Sequence, residues 1–129
     1  MPTSLGATIL VDTSIIIDFL RAQDKSKTIL FELAKKHKLA ISILTHAELY
    51  AGKSVWENPQ AESELTTLFV GLTVLPLTQV LSKQAGKIRA QYTPDLIDAL
   101  IAATALHHSL TLATSNEKHF SHIPHLKLY

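Results

Sequence analysis

The chain contains no cysteine, which removes zinc-ribbon, thiol-redox and cysteine-nucleophile chemistry and any disulfide-stapled secreted scaffold. It also lacks an excess of either charge. Twelve Lys plus Arg against eleven Asp plus Glu leave a formal net charge of +1, far from the basic surplus of many nucleic-acid binders, so charge balance names no partner. No run of about 18 apolar residues occurs, as a membrane span would need. The opening MPTSLGATILVDTS has neither a basic leader nor a cleavable apolar core, so a cytoplasmic protein without a membrane segment is expected. Internal repeats, low-complexity tracts and linkers are missing too. What remains is 129 residues, 47% hydrophobic, the size of a single domain over residues 1–129. At that length roughly two-thirds of the unfolded surface is buried on folding, enough for a core without metal or disulfide.

Thr8 to Val11 is a short β-branched apolar run that ends in Asp12-Thr13-Ser14 and leads into the helix-like IIIDFLR, which reads as strand, tight turn, helix. Asp24 is placed to cap a second helix from Lys25 to His37, with Ile29, Leu30, Leu33 and Ala34 on one stripe and cations at its C-terminal end. Leu39 to Ser42 is the second strand, and Thr45 opens a helix that stops at Gly52. A loop over Trp56 to Pro59 precedes a helix to about Phe69, then a strand from Leu72 to Leu75. Thr78 caps a helix to about Tyr92, and Thr93-Pro94 restarts the chain as a helix from Asp95 to His108. Leu110 to Thr114 is a fourth strand and Leu126 to Tyr129 a short fifth. Strands alternating with helices predict an α/β fold, a parallel sheet of about five strands covered on both faces.

In such a sheet, ligands collect at the carboxyl ends of the strands, where strand order reverses. Asp12 follows the first strand, Glu48 sits near the start of the helix after the second, Asp98 lies early in the helix before the fourth strand, and Asn116 lies just beyond it. Asp98 carries the sharpest signal. Its helix, DLIDALIAATAL, is apolar almost all round, so an ionised carboxylate there is costly unless something neutralises it.

The other candidates have structural explanations beside the functional one. Asp95 fits a capped first turn. Asp12 fits a helix cap as well, though Thr13 and Ser14 can do that work and leave the acid free. Glu48 stands three residues after Thr45, the spacing of a capping box, and Thr114 and Glu117 share that spacing around Asn116.

If three acids converge at about 4 to 6 Å, each pair repels by roughly 3 to 4 kcal/mol at an effective dielectric near 20, and a divalent cation reverses that sign. Oxygen ligands without cysteine select a hard ion, Mg²⁺ or Mn²⁺, over zinc.

Four segments, VDTSIIIDFL, SILTHAELYAG, DALIAATAL and LATSNEKHF, resemble in order and spacing the motifs of PIN-domain ribonucleases, and most of all those of VapC-type toxins of prokaryotic toxin–antitoxin pairs. The likeness runs from about residue 8 to the C-terminus. It implies a three-layer α/β/α sandwich and Mg²⁺- or Mn²⁺-dependent endonucleolytic cleavage of RNA by activated water, leaving a 5′-phosphate and a 3′-hydroxyl. Carried over by position, Asp12, Glu48 and Asp98 match the three acidic metal-site positions. Asp12 and Asp98 would bind the metal, Glu48 would complete the set or orient water, and Asn116 would position a water or the phosphate, with help from the Thr114 hydroxyl. Two positions depart from the pattern: Asn116 stands where many members have Asp, and His119 replaces the Asp of an Asn-x-x-Asp-Phe ending. An amide supplies no charge, which leaves open whether one or two ions bind. The partners implied are an RNA substrate, a small VapB-like antitoxin and a second copy of the chain in a homodimer.

Lesser features have plainer readings. His119, His122 and His125 have an H-x-x-H-x-x-H spacing, but Pro124 interrupts it and surface positions are expected. Lys83, Lys87 and Arg89 read as the wet face of a helix. Leu20, Ile29, Leu30, Leu33, Tyr50, Trp56 and Phe69 exceed what a small core obviously needs and suit an interface, unless they are mostly core. Three rivals stand beside the toxin: an RNA-processing PIN nuclease without an antitoxin, a degenerate PIN domain that binds without cutting, and a strand-end aspartyl phosphatase or receiver. The phosphatase pattern wants an acid where Ser14 stands, and a receiver wants paired acids and a lysine that are not evident.

Overall fold

Four strands and seven helices alternate along residues 6–129, the part of the chain that the computed structural model describes. The strands are β1 (Gly6–Val11), β2 (His37–Ser42), β3 (Thr73–Leu75) and β4 (Thr111–Ala113). The helices are α1 (Thr13–Arg21), α2 (Ile29–Lys36), α3 (Ile43–Tyr50), α4 (Lys53–Glu57), α5 (Pro59–Val70), α6 (Gln79–Tyr92) and α7 (Leu96–His107). All strands pair in parallel in the order β3-β2-β1-β4, with Leu10 opposite Ala40 on one side and Leu112 on the other.

Period-two alternation sends successive side chains to opposite faces, and both faces are covered, which is why the strands read as unbroken apolar runs. Ile9, Val11, Leu39, Ile41 and Ala113 pack against Ile15, Ile16, Leu30, Leu33, Leu49 and Leu65, which come from α1, α2, α3 and α5. On the other face Leu10, Ala40 and Leu112 meet Leu81, Ala85 and Ile88 of α6, the alanine-rich α7, and Phe120 and Ile123 beyond β4. The α/β/α layering expected from the sequence is thus present. Leu30 and Leu33 belong to its core, whereas Ile29 and Trp56 stand in solvent.

Several boundaries differ from the sequence reading, each for a local reason. Asp24 caps only a 3₁₀ turn over Lys25–Lys27, because Thr28 accepts the Phe31 N–H and starts α2 there, and His37 already belongs to β2. Ser42, not Thr45, caps α3 by accepting the Leu44 N–H at 3.1 Å. Trp56 lies in the short helix α4, its indole N–H donating to the Tyr50 carbonyl at 2.7 Å. The fifth strand shrinks to a single bridge: Leu112 donates to the Lys127 carbonyl and accepts from the Tyr129 N–H, both at 2.8 Å, and only Leu128 comes into register. With β4 three residues long, there is little edge to extend.

One topological feature places the site. The chain steps outward from β1 to β2 and β3, then returns to lay β4 on the far side of β1, so strand order reverses at β1. The carboxyl ends of β1 and β4 are therefore neighbours, tied by the Asp12 N–H donating to the Ala113 carbonyl at 2.9 Å.

Candidate active site

At that reversal a cavity of about 580 Å³ opens, lined by Asp12, Glu48, Asp98 and Asn116 together with Thr13, Ser14, Ile17, Asp95, Leu96, Ile97 and His119. The four residues singled out from the sequence share one hollow although 104 positions separate the first from the last.

Asp12 is buried at the end of β1 and occupies the N-cap position of α1. Its Oδ1 accepts the Thr13 N–H at 2.9 Å, while Oδ2 accepts the hydroxyls of Thr114 at 2.7 Å and Ser14 at 3.2 Å. The capping and the cavity-lining readings therefore hold together in one carboxylate. Glu48 stays open to solvent, and its Oε1 accepts the Thr13 hydroxyl at 2.7 Å. Thr45, in the interior of α3, is bonded to that same hydroxyl at 3.0 Å, so the capping box expected between Thr45 and Glu48 does not form.

Asp98 sits in the first turn of α7, four-fifths shielded from solvent, in a helix whose next seven residues are all buried. Burial pushes its carboxyl above the ordinary range, and the charges of Asp12 and Asp95 push the same way against the lowering influence of His119. The imidazole of His119 is the partner from elsewhere in the chain, with Nδ1 at 3.2 Å from Asp98 Oδ2.

Asn116 follows β4, and its N–H donates to the Thr114 hydroxyl at 3.0 Å. Its side chain makes no cap bond to the 3₁₀ turn over Glu117–His119, and the Thr114 hydroxyl accepts from the Asn116 N–H rather than from Glu117 as the capping box would have it. Asp95 heads α7 but its carboxylate caps nothing. The capped turn expected of it is not formed, and the side chain lines the cavity instead.

Sequence reasoning passed over two participants. Thr13 entered only as a spare cap, yet its hydroxyl ties the β1 end to α3. His119 entered only as a departure from a pattern and a surface residue. The signal for it was Asp98, an acid in an apolar helix that required a partner from elsewhere.

An apolar groove of about 300 Å³ adjoins the acidic cavity, walled by Leu20, Leu49, Val55 and Leu65 and sharing Ile17 and Glu48 with it. The three histidines of the H-x-x-H-x-x-H spacing do not gather. His125 has a left-handed backbone (φ 67°), and among the described residues no three His, Asp or Glu side chains stand close enough to cage an ion.

Comparison with known proteins agrees with this geometry. The PIN domain family matches residues 9–126. Ribonuclease VapC10 of Mycobacterium tuberculosis is 36% identical over 124 residues, which cover 92% of this chain and 90% of that protein. Among solved structures, a toxin–antitoxin complex from Klebsiella pneumoniae aligns at 30% identity with a TM-score of 0.70, covering 90% of this chain and 92% of its own. VapBC2 from Rickettsia felis, bound to a DNA fragment from its promoter, aligns at 26% identity with a TM-score of 0.77 and covers 95% and 97%. With the fold, the strand-end acids and a family match over nearly its whole length, this chain belongs to the PIN-domain family.

Proposed function

We propose that this chain is a divalent-cation-dependent endoribonuclease and the toxin of a VapBC-like toxin–antitoxin pair, working as one PIN domain. The observation that carries the reading is the convergence of Asp12, Glu48, Asp98 and Asn116 on one cavity at the strand-order reversal of a PIN fold, in a chain 36% identical to a named VapC ribonuclease.

The donor set fits a hard ion. Every candidate ligand is an oxygen, and Mg²⁺ keeps several of its waters and needs one or two carboxylates rather than a protein cage. That accords with acids that line the cavity without, among the described residues, grouping into a cage. Asp12 and Asp98 would hold the Mg²⁺ or Mn²⁺, directly or through water, with Glu48 completing the acidic rim. When bound, such an ion screens the phosphodiester's charge and lowers the pKa of a water in the site.

The protein's own contribution is placement. Thr114 and Ser14 fix the Asp12 carboxylate, Thr13 fixes Glu48, and the Asn116 amide, free of any capping duty, is available to the phosphate. For the VapB-like partner, the apolar groove beside the cavity and the exposed Trp56, Ile29 and Leu96 offer more open apolar surface than a lone domain of this size needs. The same surplus supports a homodimer.

The test is a Mg²⁺ or Mn²⁺ titration with end-labelled RNA, with EDTA as the control. Metal-dependent products are expected from the wild type and none from Asp12→Asn or Asp98→Asn, both folded by circular dichroism. Full activity in either variant removes the site assignment. Binding without products in the wild type favours the degenerate domain that Asn116 raises.

A further inference from the structure

A second hollow of about 280 Å³ opens beside the acidic cavity and shares three side chains with it, Asp95, Asp98 and His119; its own walls are Thr93, Pro94 and His122. Of its walls, only Asp98 belongs to the proposed ion site. We infer that this hollow is a base-recognition subsite, which takes the nucleobase next to the cleaved bond and favours guanine; the inference rests on the ribonuclease reading above.

Size comes first. The hollow lies below the range of pockets for drug-sized ligands and suits a single ring system. Charge comes next. Outside the proposed ion ligand Asp98 its one charged wall residue is the carboxylate of Asp95, with no lysine or arginine, so the hollow offers a phosphate group no cationic partner and attracts a neutral group rich in N–H donors. Nucleobases are the neutral, donor-bearing parts of an RNA strand.

The side chains then divide the work. Asp98 is engaged by His119, whereas Asp95 forgoes the cap bond that its position offers and its carboxylate has no hydrogen-bond partner among the described residues. A carboxylate has two parallel acceptors, and among the four bases only guanine presents two adjacent N–H donors on its Watson–Crick edge. Adenine and cytosine present one amino group each, and uracil sets a single N–H between two carbonyls that a carboxylate repels. His122 is exposed, with no hydrogen-bond or ring partner among the described residues, and an exposed imidazole is a stacking surface for an unpaired base. By contrast, His107 and His108 are packed edge to face on one another. The remaining wall is held in an unusual shape. Thr93 adopts a left-handed conformation (φ 56°) that a β-branched residue seldom takes, and the buried Pro94 then turns the chain directly into α7.

The experiment is to cleave a pool of random-sequence RNA with the wild-type protein in Mn²⁺, sequence the product ends, and repeat with Asp95→Ser and His122→Ala. Serine is a good helix N-cap, so that variant removes the carboxylate and keeps the helix start. Guanine is expected to be enriched about tenfold or more at one fixed position beside the cut, the discrimination of a bidentate base contact. Both variants should flatten that preference, and Mn²⁺ affinity followed by electron paramagnetic resonance should stay within twofold of wild type in His122→Ala, whose side chain lines the second hollow and not the acidic cavity. An unchanged base profile in both variants overturns the subsite, as does enrichment of uracil. A loss of Mn²⁺ affinity in His122→Ala overturns it by moving that imidazole into the ion site. A wild type that cuts without base preference defeats this inference alone, and one that cuts no RNA in any metal defeats the nuclease reading and this inference with it.

Discussion

Replacing Thr114 by Val tests whether a hydroxyl, rather than shape, holds the site together. Thr114 is only 9% exposed, and its hydroxyl has two duties: it donates to Asp12 Oδ2 at 2.7 Å and accepts the Asn116 N–H at 3.0 Å. Valine keeps the β-branch and the fit against the end of β4 but does neither. A bond to a charged acceptor contributes about 1.5 to 3 kcal/mol and a neutral one about 0.5 to 1.5 kcal/mol. Asp12 retains the Thr13 N–H and the Ser14 hydroxyl, and Asn116 can turn to water, so a net loss of about 2 kcal/mol is expected. With an unfolding entropy of about 2.1 cal/mol/K per residue over 129 residues, that loss lowers Tm by about 7 °C.

The control is Thr114→Ser, which keeps both bonds and removes one methyl, at a cost of about 1 kcal/mol. Calorimetry of the two variants, paired with Mn²⁺ affinity, separates the terms. Serine should melt above valine and bind Mn²⁺ like the wild type, while valine, with Asp12 and the Asn116 loop uncoupled, should bind several-fold more weakly. If valine melts at or above serine and binds the ion equally well, the hydroxyl is not what aligns Asp12, and the reasoning fails.

Asp98→Asn should stabilise the metal-free protein at neutral pH. Because the native carboxyl is held above its ordinary range, the native state keeps that proton to a higher pH than the unfolded chain does, so stability falls as pH rises from about 3.8 through the native value. Melts of Asp98→Asn and wild type should converge under acid and separate at pH 7, with the variant higher; a variant that melts lower at pH 7 contradicts this. Lys25→Met should cost about 1 kcal/mol, since the ammonium donates to the Phe19 and Leu20 carbonyls at 2.9 and 3.0 Å and closes the C-terminal end of α1; an unchanged urea midpoint would reject that role. Phe120→Ala removes one of the largest fully buried side chains and should cost about 3 to 5 kcal/mol in denaturant melts, so a cost under about 1 kcal/mol would mean that the C-terminal segment is not part of the core.

The layers were legible because burial on both faces leaves a mark that little else imitates: ILV, LAIS and TLA are strand-length apolar runs, each followed or preceded by an amphipathic or wholly apolar helix. Boundaries were less legible where two residues competed for one task. Ser42 and Thr45 can each cap a helix, and what decides between them is that the Thr45 hydroxyl is claimed by Thr13, a contact across 32 positions. Asp24 lost α2 to Thr28 in the same way, once Lys25 folded back onto α1. At the site, Asp98 announced itself through its apolar helix, but its partner His119 did not, because nothing in a sequence brings residue 119 to residue 98 except the fold. Asp95 was misread for a related reason. Its position is that of a cap, and only the structure shows that the side chain turns from the helix to the cavity.

The way the acids are held before any ion arrives gives the site a gradient. Asp12 has an N–H and two hydroxyls around it, from the start of α1 and from Thr114 beyond β4, and Glu48 has one hydroxyl from α1, so their negative charge is already spread over neutral contacts. Asp98 has no hydroxyl. Its one partner among the described residues is a half-exposed imidazole, and burial and two neighbouring acids push it against ionising. Among the three acids proposed to hold the ion, the unmet electrostatic demand is therefore concentrated at Asp98, the one fixed by the most buried helix of the fold. An entering cation gains most by neutralising Asp98 and least by displacing the hydroxyls from Asp12. On that ordering, Asp98→Asn should weaken Mn²⁺ binding more than Glu48→Gln does, although both remove one charge from the same hollow.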